Sequence, residues 1–120
     1  MISARKGTGQ VGRLYIQYVG FDQAVRSRMY AFHVIDSPIE TREFTVKVQA
    51  GAFGAGSLKL QDGPGICFER LQRELEMETQ ESRAEALLHI GEMDIQEYRA
   101  RHYPRKKIFG RDATGARSLS

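Results

Sequence analysis

A lone cysteine, three histidines, two glycine-rich runs and a stretch of cations interleaved with rings are the residues of this 120-residue chain whose types could do chemistry. Cys67 is the sharpest of them. It stands in the first turn of a predicted helix, where free N–H groups and the helix dipole can lower a thiol pKa and create a nucleophile. Its neighbours argue the other way: Cys67 shares an apolar stripe with Leu71 and Leu75, and free cysteine is among the most buried residue types. Packing is the better account, so the chain reads as non-catalytic, with Cys67 its one candidate catalytic residue. His33, His89 and His102 fall on separate predicted elements and could converge as metal ligands or as a base beside a carboxylate. No H-x-x-x-H or H-E-x-x-H spacing supports this, and neither a metal nor a cofactor is expected. His33 is expected to face away from the main core and His102 to pack beside Tyr98.

Gly7-Thr8-Gly9-Gln10-Val11-Gly12 has the G-x-G-x-x-G spacing of dinucleotide loops, but such a loop follows a strand and opens a helix, whereas this one follows a polar start and opens a strand. Residues 51–57 have the glycine spacing of a phosphate-binding loop with Ser57 where the lysine belongs, and read as a turn between strands. Residues 98–107 mix cations and rings as phosphate-contacting or base-stacking segments do. The nucleic-acid-binding candidates there are Arg99, Arg101, Tyr103, Arg105, Lys106 and Lys107. The plainer account is a helix end whose cations offset the dipole, followed by a solubilising tail.

The elements that must position these residues follow from periodicity. Residues 13–19 are rich in β-formers and are expected to end at Gly20 and Asp22. From Tyr30 the alternation puts Tyr30, Phe32 and Val34 on one face and Ala31, His33 and Ile35 on the other. Residues 42–50 alternate likewise through Phe44, Val46 and Val48, which predicts an antiparallel hairpin across Asp36-Ser37-Pro38. A short strand is expected over 58–61. Asp62-Gly63-Pro64-Gly65 then reads as cap and first turn of a helix starting near residue 64, with Cys67, Phe68, Leu71 and Leu75 on its buried stripe and Glu69/Arg73 and Arg70/Glu74 paired opposite. Ser82 and Glu85 are spaced as a capping box. Residues 87–90 read as a last strand, and 92–103 as a second amphipathic helix with Ile95, Tyr98 and His102 on one stripe, stopped by Pro104. The expected architecture is α+β: a mainly antiparallel sheet of about four to five strands with two helices on one face. A flexible lead-in over 1–12, one domain over 13–104 and a basic, disordered tail over 105–120 complete the reading.

Hydrophobic residues at 41% and charged residues at 28% fit a soluble globular domain of a size that buries a core without disulfides. The N-terminus lacks the apolar core of a signal peptide and no run is long enough to span a bilayer; with a single cysteine this points to a reducing, cytoplasmic compartment and no membrane partner. Net charge of +3 conceals a division. Arg5, Lys6 and Arg13 lie at one end, and residues 99–120 hold seven cations against Asp112 alone, so the middle is acidic, mostly between Glu69 and Glu97.

The pieces Arg42-Glu43-Phe44-Thr45-Val46, Leu60-Gln61-Asp62-Gly63-Pro64 with Glu74-Leu75, and Asp94-Ile95-Gln96-Glu97-Tyr98-Arg99 with His102 resemble short uncharacterised bacterial proteins with no assigned activity. The resemblance spans residues 30–103 at most, implies a bacterial source and a compact α+β domain, and transfers no site. The expected function is a small non-catalytic protein-interaction module that self-associates as a homo-oligomer, its acidic stretch facing the basic segment of a neighbouring subunit. A nucleic-acid binder acting through residues 99–107 is the alternative, and a thiol-dependent enzyme at Cys67 the third.

Overall fold

A computed structural model describes residues 9–36, 40–54 and 57–103. Five strands form one sheet in sequence order: β1 (Gly9–Val11), β2 (Leu14–Gln23), β3 (Ser27–Asp36), β4 (Glu40–Gln49) and β5 (Leu87–His89). The first four make an antiparallel meander, and β5 returns parallel to β4 after the helix α1 (Gly63–Met77); α2 (Glu92–His102) follows. The class is α+β, as the alternating patterns predict. Among the described residues no helix is long and apolar enough to cross a membrane.

The predicted hairpin forms with Phe32 opposite Phe44 and Tyr30 opposite Val46. Its inward residues Tyr30, Phe32, Val34, Phe44, Val46 and Val48 are buried together with Ile16 of β2. Onto them α1 lays Ile66, Cys67, Leu71 and Leu75, a stripe that differs from the expected one by including Ile66 and leaving Phe68 half-buried. At roughly 1.5–3 kcal/mol for each large apolar side chain removed from water, this face holds the domain together. Tyr98 of α2 and Leu88 and Ile90 around β5 close the core at its margin.

Several elements depart from their sequence-based boundaries. β2 does not stop at Gly20: a bulge between Tyr18 and Gly20 absorbs one extra residue, Gly20 takes φ +156°, and pairing resumes to Gln23. The span 21–28, expected as a polar connection, is therefore mostly strand around a tight turn in which Ala24 N–H donates to the Ser27 carbonyl. Within the expected lead-in, Gly9–Val11 is an edge strand joined to β2 through Gly12 at φ +58°. Residues 58–61 are not a strand. Leu58 makes one isolated bridge to Phe53, and residues Leu60–Asp62 turn as a 3-10 helix because the Asp62 carboxylate accepts the Lys59 N–H at 2.8 Å. Asp62 thus faces back into its own turn and does not cap α1 with its side chain. Ser82 and Glu85 form no capping box either; Ser82 N–H donates to Thr79 Oγ1 in a coil. The basic tail expected over 105–120, including Arg105, Lys106 and Lys107, lies outside the described residues.

Candidate functional site

The strands that supply the core present a second face, and no described helix lies on it. Its rows follow from the pairing. Gly20, Ala31, Thr45 and Leu87 are successive partners across β2, β3, β4 and β5. Gln17, His33 and Glu43 line up on one side of them, and Asp22, Met29, Lys47 and His89 on the other. Tyr15 and Ile35 extend the face beyond Gln17 and His33. Alternation puts these side chains opposite the buried ones, and Tyr15, Val19 and Leu87 are 42%, 53% and 47% exposed. An antiparallel sheet can carry a solvated face, but such a face is ordinarily polar. This one carries Tyr15, Val19, Met29, Ala31, Ile35 and Leu87, and its carboxylates and ammonium groups among the described residues are Asp22, Glu43 and Lys47.

Cys67 is fully buried, and burial first, with the Asp94 charge second, pushes its thiol well above the ordinary cysteine range, so it stays a protonated packing group. The helix start that could have activated it is closed by the sheet. The three histidines do not converge. His33 lies on the open face with Nε2 3.9 Å from Glu43, His89 sits at the far edge of that face, and His102 packs its ring on Tyr98 at 4.2 Å between centroids. Among the described residues no three His, Cys, Asp or Glu side chains come together as a metal site would require.

Of the basic segment, Arg99, Arg101 and Tyr103 are described, and Arg101 and Tyr103 are held by the body. Arg101 pairs with Glu69, which also accepts His102 Nε2 at 2.6 Å. Tyr103 donates its hydroxyl to Asp62 at 2.9 Å, and the Lys59 ammonium lies 5.2 Å from its ring centroid. Asp62 is fully buried, and burial with the Asp62 and Glu69 charges pushes the Tyr98 phenol up to about 12. The expected Glu69/Arg73 pair is thereby replaced: Arg73 reaches Asp94 at 2.5 Å, while Arg70 keeps its predicted Glu74 and adds Asp94. Of the acidic stretch, Glu69, Glu74, Glu78 and Asp94 are paired within the fold, while Glu76, Glu81, Glu85 and Glu92 are exposed.

A cleft of about 490 Å³ lies between the end of α1 and the following coil, with Met77 and Leu88 at its wall. Its cations are paired already, Arg70 with Glu74 and Arg83 with Glu40 and Glu78. Arg42 grips Glu78 through two hydrogen bonds of 3.1 and 2.8 Å, which holds the Glu78 carboxyl below the usual range and raises Arg42. Among the described residues one buried side-chain polar atom lacks a hydrogen-bond partner: the Tyr30 hydroxyl, pressed against Gly63. Burial pushes its phenol up, and the nearby Arg28 guanidinium offsets part of that.

Comparison with protein-family models, curated proteins and solved structures found no match for this chain. The candidate surface missed by the sequence reading is the open face. Its signal was present in the alternation of β3 and β4, where Ala31, Ile35 and Thr45 occupy positions that a solvated face fills with charge.

Proposed function

We propose that this protein is a small non-catalytic interaction module that binds a protein partner through the open face of its sheet. The observation carrying this reading is that face: apolar and small side chains run across four strands with no described helix over them, while the opposite face holds both described helices and the core. Larger contiguous apolar patches rimmed by polar residues mark interaction sites, protein–protein sites among them. The catalytic reading rests on Cys67, a thiol without access to solvent, and the nucleic-acid reading on a segment of whose two described arginines Arg101 is paired with Glu69.

A photoreactive residue placed at Thr45 tests the reading in cells. Covalent adducts to protein are expected from Thr45 and not from Met93, which lies exposed on α2. Absence of any adduct from Thr45 would overturn it.

A further inference from the structure

We infer that the occupant of the open face is a second copy of this chain, stacked face to face about a twofold axis that runs along the row Gly20, Ala31, Thr45 and Leu87. The inference rests on the interaction reading above and names its partner.

The register supplies the argument. The central row carries no charge and crosses four strands. A twofold axis along it lays each strand antiparallel over its own copy, and so places the Gln17, His33, Glu43 row over the partner's Asp22, Met29, Lys47, His89 row. Glu43 then meets the partner's Lys47, with the partner's His89 beside it. Gln17, an amide donor, meets the partner's Asp22. His33 lies over the partner's Met29. No like charges oppose one another, and each pairing occurs twice. Glu43 is free to change partner, since its side chain is 85% exposed and its contact to His33 is 3.9 Å long.

Shape agrees with charge. Ala31 and Thr45 are small and lie on the axis, where two stacked sheets approach most closely, while Val19 and Leu87 flank them and add apolar area. Stacked sheets keep their strands within about 30° of one another, so the overlay is best close to the axis, where Glu43 and Lys47 each stand one pleat away. An axis along the strands instead would put Glu43 over the partner's neutral Gln17 and stack His33 on its own copy. Five rows of pleat across three full strands and two short ones project to on the order of 500 Å². That is small beside the roughly 800 Å² per partner of a standard interface and fits a reversible dimer.

Sedimentation equilibrium of the full chain, over roughly 1–300 µM, is the test. The wild-type protein is expected to dimerise. Glu43→Lys and Lys47→Glu should each weaken the dimer about tenfold or more, because each replaces both lysine–glutamate contacts with like-charge contacts. An equimolar mixture of the two variants should recover the wild-type affinity, since every contact in the mixed dimer again joins a lysine to a glutamate. Circular dichroism confirms that both variants fold. A wild-type chain that stays monomeric, a mixture no tighter than its components, or loss of dimer with Lys47→Glu but not with Glu43→Lys would overturn the proposal. A monomer that still gives Thr45 adducts to another protein sinks the second copy and spares the interaction reading; a monomer with no adducts sinks both.

Discussion

Leu87 and Leu88 are consecutive residues of β5 with identical side chains, and one is 47% exposed while the other is 5% exposed. The difference is the two faces of the sheet. On the covered face, strand and helix side chains interdigitate, so any change of volume or polarity is felt by several neighbours at once. On the open face the same strands carry side chains whose packing partners are absent from the chain's own described elements. The contrast separates two kinds of constraint on one backbone: the covered face is bound by the fold's own packing, and the open face is covered by none of the described elements.

The covered face breaks most severely where helix and sheet approach closest. A Cβ on Gly63 would overlap the hydroxyl and ring of Tyr30, a fully buried side chain with no room to retreat. Gly63→Ala gains about 1 kcal/mol in helix propensity, yet the overlap should cost more than about 3 kcal/mol, so the variant is expected to be largely unfolded in a urea titration. Tyr30→Phe is the control. It removes a buried hydroxyl without a hydrogen-bond partner and should be neutral or stabilising by about 1 kcal/mol. A large loss there would mean that the hydroxyl has a partner.

Next in size is Leu88→Ala. Leu88 belongs to the core cluster, and its truncation leaves a cavity at the β5 margin; about 2–4 kcal/mol of stability should be lost, measured by denaturant midpoint at unchanged slope.

Much of the covered face could be read from sequence. Tyr30/Phe32/Val34 against Phe44/Val46/Val48 is a two-residue period that fixes both pairing and inward direction, and Cys67, Leu71 and Leu75 announce α1 by spacing alone. What escaped depended on distant partners. β2 reads as ending at Gly20 because a glycine in a strand signals either a stop or a bulge, and only the pairing with β3 decides. Residues 58–61 look extended until the Asp62 carboxylate closes its turn on Lys59. Glu69 and Arg73 have the spacing of a pair, but α2 offers each a better-placed partner, Arg101 and Asp94. The open face was legible as alternation and illegible as a site, because a pattern of Ala31, Thr45 and Ile35 does not say whether a helix will cover it.

The tie between β4 and the coil after α1 should show as a pH effect. Glu78 is held below its ordinary pKa by Arg42, so the pair's contribution is fully present above the unfolded glutamate value of about 4.3 and is lost as pH falls through the lower folded value. Glu78→Gln is expected to cost about 1–2 kcal/mol at neutral pH. The gap between variant and wild type should stay constant from neutrality down to about pH 5 and close below about pH 4. A gap that widened on acidification would contradict the sign of the Glu78 shift.

The smallest effect on folding is also the most informative. Leu87→Ala removes the same atoms as Leu88→Ala from the adjacent residue, but Leu87 sits on the open face at the end of the row shared with Thr45 and Ala31. Measured where the chain is monomeric, its cost should be within about 0.5 kcal/mol, as for a surface substitution away from special features. Measured across the concentration range of the proposed dimer, the same variant should weaken association, because the lost area belongs to the proposed interface and not to the core. Equal costs for Leu87→Ala and Leu88→Ala in the monomer would erase the distinction between the faces. A Leu87→Ala variant neutral in both measurements would confine the proposed interface to the strands nearer Ala31.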